Sequence, residues 1–314
     1  MFDVVGIGAN SVDYVYRLPQ FPQPDSPAAK LRITSHLVSC GGQTTTTLCA
    51  CAALGLRTTY VGTTGHDEGG RRMRDELSRR GVDVAHTYVR DAGNPFAVIL
   101  LDERKGERLV LWHREPTLRL QPGEVTSSII GSARLLHVDD VDEDAAIRAA
   151  TLARQAGMPV TSDIERVTER TEELVAAVTV PIFAEHALAA LTGERDFERG
   201  LRRVLTPAGP TAGSPRRPPG PAPQTMACVT LGPHGAMLLD GDRLHHQPAH
   251  QVDVEDTTGA GDIFRGGFIT AFLRGDAPAD ILRFANAAAA ISCTRVGAMA
   301  SVPTLAEVEA ILGL

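Results

Sequence analysis

The sequence predicts a three-layer α/β/α fold with a mainly parallel central sheet and a small β-sheet lid, and three observations carry that prediction. Short apolar runs alternate with helix-patterned segments along most of the 314 residues, as parallel strands covered on both faces require. Two β-patterned stretches, "AAKLRITSHLVSC" and "PFAVILLDERKGERLVLWHR", break the alternation with no helix between or after them. Length and a composition of 43% hydrophobic and 22% charged residues allow one large or two ordinary globular domains with a sizeable core, and a single unit over residues 1–314 is the expectation.

Taken in order, "FDVVGIG" is a short apolar strand. "QTTTTLCACAALG" follows the Gly41-Gly42 pair and reads as a helix stopped by Gly55. "TTYVGTTG" is a strand running into a loop, and "EGGRRMRDELSRRG" a polar helix ending at Gly81. "ARLLHVDD", "MPVTSDI" and "TVPIFAE" are strands, with the helix "DAAIRAATLARQAG" between the first two and another helix after the third. "MACVTLG" is a strand followed by the hairpin-like "GAMLLDGDRLHHQ", and alanine-rich helices over roughly 259–273 and 278–293 close the chain. The two extra β stretches are expected to form the lid from about residues 12–40 and 95–114. The Pro/Gly/Ala-rich segment 206–224 cannot pack a core and is expected to be a mobile surface insertion.

Charge and length exclude several classes. A net charge of −7 gives nucleic-acid binding no electrostatic support. The first residues lack the basic flank and cleavage site of a signal peptide, and no run approaches a membrane span. A cytoplasmic protein without a membrane partner is the expectation. The five cysteines, Cys40, Cys49, Cys51, Cys228 and Cys293, fit neither a zinc site nor a disulfide framework, and read as reduced thiols packed as small apolar residues.

Three motif-like strings fail on physical grounds. "GIGANS" echoes a dinucleotide fingerprint, which needs a helix to begin there; Pro19, Pro22, Pro24 and Pro27 follow instead. "DVDED" has the alternating carboxylates of a calcium loop but holds Ala145 and Thr151 where glycine and glutamate are needed. His245 and His246 are adjacent on a strand and so point to opposite faces, which argues against a metal site with His250.

"DTTGAGD" is different. Gly259, Ala260 and Gly261 let backbone approach a ligand with no side chain in the way, and the helix that starts there aims unpaired N–H groups and its positive end at the same spot. Asp262, in the first helical turn, is a poor anion ligand but a suitable base for a nucleophile attacking a bound phosphate. Phosphoryl transfer to a hydroxyl follows from that arrangement. The structural alternative is a glycine-rich turn whose aspartate stabilises its own helix.

With these residues in view, the chain resembles the ribokinase/PfkB family of sugar kinases. "DTTGAGDIFRGGF" resembles the family's C-terminal signature, and "GGQTTTTLCACAALG" its N-terminal one. "VGTTGHDEGG", "VTLGPHGAMLL" and "FANAAAAISCTRVGAMASVP" are similar to further segments, in the family's order. The resemblance implies a ribokinase-like fold and transfer of the γ-phosphoryl group of ATP, with Mg2+, to a hydroxyl of a small sugar, a ketose or furanose before a sugar acid or nucleoside. It implies Asp262 as catalytic base with Gly259, Ala260 and Gly261 as anion hole; Thr230, Gly232, Gly235 and Asn286 at the nucleotide; and Asp13, Gly41, Gly42, Lys30 and Asp139 or Asp140 at the substrate. Phe96 and Trp112 would lie on the lid, and a homodimer would form through it. Asp256 and Thr258, with backbone around 292–297, would match a monovalent-cation site such as one for K+.

The chain also departs from the pattern. The N-terminal signature usually carries asparagine where Thr46 stands. The N-x-x-E motif that organises magnesium-bound water falls on Ala184 and Ala187, leaving Glu185 and Asp163 as the acids to replace it. A non-catalytic sugar or nucleotide sensor on the same fold is the alternative those departures raise. A phosphorylated sugar would want converging cations, for which Lys30, Arg32, Arg108 and Arg114 are the candidates.

Overall fold

The computed structural model describes residues 1–104, 107–206 and 224–314; the expected surface insertion lies, but for its two ends, outside the described residues. In chain order the elements are β1 (Val4–Ile7), β2 (Ser11–Leu18), β3 (Ser35–Gly41), α1 (Gln43–Ala53), β4 (Thr58–Gly65), α2 (Glu68–Arg79), β5 (Val82–Arg90), β6 (Phe96–Asp102), β7 (Arg108–His113), α3 (Ser127–Ile130), β8 (Leu135–Asp139) and α4 (Glu143–Gln155). The chain continues through β9 (Val160–Asp163), α5 (Thr171–Ala177), β10 (Ile182–Ala184), α6 (Glu185–Thr192), α7 (Phe197–Leu205), β11 (Met226–Thr230), β12 (Ala236–Asp240), β13 (Arg243–Gln247), α8 (Ala260–Arg274), α9 (Pro278–Ser292) and α10 (Leu305–Leu312).

The central sheet runs β5-β4-β1-β8-β9 with every pairing parallel. Backbone bonds carry it onward: Ile164 N–H donates to Ile182 C=O, and Ala184 N–H to Ile164 C=O, each at 3.0 Å. Beyond β10 the order is β11-β12-β13, parallel at the first step and antiparallel after it. Strands buried on both faces need apolar residues on both, and β1 shows this: Val4 joins one core layer, Val5 and Ile7 the other. The first layer packs Leu48, Met73, Leu77, Phe268 and Phe284 from α1, α2, α8 and α9. The second packs Ala149, Leu174, Leu188 and Leu201 from α4 to α7.

A separate sheet, β3-β2-β6-β7, is the lid; β2 and β6 are parallel and the other pairings antiparallel. Its own core is only Val15, Ala97 and Ile99, with Leu101 against them. Strand β7 is exposed on both faces, Trp112 most of all at 69%. Strand β5 was not predicted, because its sequence "VDVAHTYVR" is polar and half-exposed at the sheet edge. Among the described residues no helix is long and apolar enough to cross a membrane. The cysteines are free, and all but Cys293 are buried.

Candidate active site

The site forms where the parallel strands end and α8 begins. Gly259 precedes the helix at φ +78°, the left-handed region. A β-carbon there would also lie 2.8 Å from Ala298 Cα. Asp256 clasps the loop from both sides. Its Oδ1 accepts the Thr258 N–H at 2.9 Å and the Thr258 hydroxyl at 2.7 Å, and its Oδ2 accepts the Gly297 N–H at 2.8 Å. Ala260 N–H makes a long bond back to Thr257 C=O at 3.3 Å, and the helical ladder opens with Ile263 N–H to Gly259 C=O at 2.9 Å. The amides of Gly259, Gly261 and Asp262 have no such partner among the described residues.

The rest of the signature fixes the helix in place. The Thr47 hydroxyl of α1 donates to Asp262 C=O at 3.1 Å. Gly266 lets α1 approach, since a β-carbon there would be 2.5 Å from Ala50 Cβ; Gly267 does the same for α9, at 2.9 Å from Ala285 Cα. Asp262 keeps partial access to solvent. Burial, reinforced by the Asp163 and Glu165 charges, holds its carboxyl well above the usual carboxylate range, with Arg265 opposing.

Ala298 joins this loop to the base of the lid. A β-carbon on Gly259 would be 2.9 Å from Ala298 Cβ, and one on Gly41 would be 3.6 Å from the same atom. Gly41 in turn passes against Asp13, whose Oδ1 accepts the Ser11 hydroxyl at 2.7 Å. Burial pushes Asp13 up to about 6. Gly42 crosses Asn10 closely, with a β-carbon 2.5 Å from Asn10 Cα. Asn10 is itself fixed by bonds to Tyr60 Oη at 3.0 Å and Thr63 C=O at 2.7 Å. The side-chain polar atoms Ser39 Oγ, Gln43 Nε2 and Thr46 Oγ1 are buried without a hydrogen-bond partner. Such orphans on β3 and α1, flanking the Gly41-Gly42 turn, are candidate substrate contacts. Of these only Thr46 was singled out from the sequence.

Asp139 and Asp140 are already engaged. Asp139 Oδ2 accepts the Ala9 N–H at 2.6 Å and the Thr44 hydroxyl at 2.8 Å, and its Oδ1 the Val141 N–H at 3.0 Å. Burial also lifts Asp139 to about 6. Asp140 accepts the amides of Glu165 and Arg166 at 2.8 and 2.6 Å and pairs with the Arg166 guanidinium at 2.9 Å. Both carboxylates tie loops together where a substrate contact was expected. Lys30 is exposed and forms no hydrogen bond or ion pair among the described residues. Arg114 is spent on Asp142 through bonds of 2.8 and 2.7 Å, while Arg108 reaches from the lid to Thr258 Oγ1 at 3.4 Å. Phe96 packs edge-on against Tyr14 within the lid.

Of the residues expected at the nucleotide, Gly235 and Asn286 meet at the backbone of Gln247 to Ala249. Thr230 ends β11 with its hydroxyl on Phe183 C=O at 3.3 Å. Gly232 is open to space, and Gly235, at φ +88°, slides directly under the backbone of Gln247 to Ala249. Asn286 of α9 holds that same crossing by donating to Gln247 C=O at 2.8 Å and Pro248 C=O at 3.2 Å.

The acids expected near a metal divide. Asp163 is fully enclosed, its Oδ1 2.6 Å from Nη2 of an equally enclosed Arg265. Burial raises Asp163 well above the carboxylate range despite that cation. Glu185 is exposed at the start of α6, and the ring of its neighbour His186 meets Glu165 C=O at 2.8 Å, which brings Glu165 to the same edge. Among the described residues no group of three His, Cys, Asp or Glu side chains could cage an ion. Glu165 and Arg265 were not anticipated from the sequence; an arginine inside the signature "DIFRGGF" was the signal for the second.

The fold and site together define a phosphotransferase with an alcohol group as acceptor. The pfkB family carbohydrate kinase pattern matches residues 1–305, and the chain belongs to that family. It is 29% identical over 314 residues to an ATP-dependent ribose-1-phosphate kinase of Halopiger xanaduensis, covering 99% of this chain and 98% of that one. A solved Arabidopsis thaliana ribokinase complexed with ribose and ATP superposes with a TM-score of 0.80 at 22% identity, covering 100% and 99% of the two chains. A candidate ribokinase II from E. coli, in complex with ATP and Mg2+, superposes with a TM-score of 0.81 at 21% identity over the same shares.

Proposed function

We propose that this chain transfers the γ-phosphoryl group of ATP to a hydroxyl of a small sugar, with a ketose or furanose favoured. The observation that supports it most is Asp262, partly accessible in the first turn of α8, flanked by unpartnered amides and joined through Ala298 to the Asp13–Gly41 corner. The sugar lies against Asp13 and the Gly41-Gly42 turn, under the lid. Closure excludes water, Asp262 takes the hydroxyl proton as the oxygen–phosphorus bond forms, and ADP leaves with the electrons of the broken bond. The Gly261 amide and the positive end of α8 stabilise charge on the moving group. Thr230, Gly232, Gly235 and Asn286 shape the nucleotide side.

Magnesium, when bound, neutralises the phosphate oxygens. Among the described residues no group of three ligating side chains could cage it; magnesium commonly rides on phosphates and water, and Glu185 and Glu165 are the acids proposed to hold that water. At the K+ position implied by the resemblance, Asp256 is already bonded to Thr258 and Gly297, so a monovalent cation would share those oxygens with the clasp. The exposed lid residues Leu109, Leu111 and Trp112 are the surface for a second copy of the chain. Light scattering of the parent and of Trp112→Glu tests that arm.

A nucleoside or sugar acid at the same site is the second reading, supported by the unpartnered Ser39 Oγ, Gln43 Nε2 and Thr46 Oγ1, donors that a carboxylate or a nucleoside could meet. ATP turnover over a panel of ketoses, aldoses, sugar acids, sugar phosphates and nucleosides decides it. Turnover on none, with ATP still bound, would leave a sensor in place of a kinase.

A further inference from the structure

Arg265 is a buried cation beside this site. It lies in the second turn of α8, three residues after Asp262 and four after Gly261, so its side chain runs back along the same helix face toward the N-terminus. That end of a helix is already positive and disfavours a cation. The side chain is 1% exposed and its counter-ion Asp163 is 0% exposed. Yet the pair is close without being well aimed. Nη2 is 2.6 Å from Asp163 Oδ1, but Nε and Nη2, and both Asp163 oxygens, fall outside hydrogen-bond geometry with any described group. A buried arginine with its directed bonds unmade is costly, and a structural ion pair would have optimised them. The remaining nitrogen, Nη1, points at the transfer site: a β-carbon on Gly261 would sit 2.9 Å from it.

We propose that Arg265 is a catalytic cation of the phosphoryl-transfer site, its guanidinium taking a γ-phosphoryl oxygen of bound ATP beside the Gly261 amide. The inference rests on the kinase reading above. Three features then have one cause. The unmade hydrogen bonds are those kept for the phosphoryl oxygens. Asp163 holds the guanidinium in place from below, as a positioning residue. Gly261 must lack a side chain because the cation and the phosphoryl group meet there.

The competing account is that Arg265 only neutralises Asp163. The double variant Asp163→Asn with Arg265→Met separates the two, because it removes both charges together. ATP and ADP affinities are measured by calorimetry without sugar, alongside melting temperature and turnover. The expected result is a melting temperature close to the parent's, ADP affinity within about threefold, and ATP affinity and turnover each down about ten- to a hundredfold, the scale of a charge-assisted hydrogen bond. Parental ATP affinity and turnover in the double variant would overturn the proposal. Should that variant not fold, Arg265→Lys keeps the charge and loses the fork. It is expected to lower turnover about tenfold with ADP binding intact, and parental turnover there overturns the proposal equally. A parent protein that binds neither nucleotide would sink the kinase reading itself, a separate outcome.

Discussion

A side chain on Gly41 would run into the carboxylate of Asp13, because the two lie diagonally on one face of the β2–β3 ladder, where Gly41 pairs with Ser11 and Asp13 with Ser39. The glycine is therefore a condition for where that carboxylate can point. Gly41→Ala forces Asp13 into another rotamer at an overpacking cost of about 1–3 kcal/mol. The sugar KM is expected to rise by roughly five- to a hundredfold, with ATP KM unchanged. Equal losses for both substrates would mean that Gly41 supports the whole cleft and not the sugar corner.

Asp13 itself gives a pH prediction with a definite sign. Its folded value is about 6 against an unfolded 3.8, with burial as the largest cause. The folded state thus binds the proton more tightly, so this group's contribution to stability falls as pH rises from about 4 to 6 and is flat above. The penalty amounts to about 3 kcal/mol. Asp13→Asn removes it, and should raise the melting temperature by a few degrees at pH 7.5 with little change near pH 4. The same variant should lose sugar affinity, and the parent's sugar KM should climb below pH 6 as the acceptor protonates. Asp139 titrates in the same range, so Asp139→Asn is the control. If it, and not Asp13→Asn, abolished the pH dependence of the sugar KM, the assignment of Asp13 would fall.

What the sequence made legible was the part written in local periodicity and glycine placement. The α/β alternation, the separate lid and the α8 N-terminus all follow from patterns a few residues long. The edge strand β5 and helix α10 were not, because their apolar faces are short and their formation depends on the sheet or helix they lean on. Side-chain pairing across the fold was equally hidden. Nothing local shows that Asp139 is consumed by Ala9 and Thr44 from 130 and 95 residues away, or that Asp163 meets Arg265 inside the core. An aspartate ending a strand is the same letter whether it faces ligand or ties a loop.

The magnesium arm is tested on Glu185, at the start of α6, and on Glu165, in the segment after β9 whose carbonyl meets His186. Glu185→Gln and Glu165→Gln should each weaken the apparent affinity for magnesium in turnover assays by about tenfold or less, as loss of a water-mediated contact does, with melting temperature held. Glu185 is exposed, so its substitution isolates the metal effect. Glu165 also raises the carboxyls of Asp262 and Asp163 through its charge. Only its variant should therefore shift the acid limb of the rate profile, to lower pH. A magnesium titration unchanged in both would place the metal's water shell elsewhere.

The transfer step is tested on Asp262 and the glycines before it. Asp262→Asn keeps size and removes the base, so turnover should fall by about two to four orders of magnitude. Nucleotide affinity should hold or improve slightly as a negative charge beside the phosphates disappears. The two glycines then separate strain from crowding. Gly259→Ala must take φ +78° and meets the Ala298 backbone at 2.8 Å, which nothing nearby can relieve. It should lower the melting temperature and both substrate affinities together. Gly261→Ala has no such strain and meets only the end of Arg265 at 2.9 Å. It should fold normally while weakening ATP relative to ADP. Near-parental turnover in Asp262→Asn on a verified substrate would make that carboxylate a helix-stabilising residue, and the mechanism proposed for this site would be wrong.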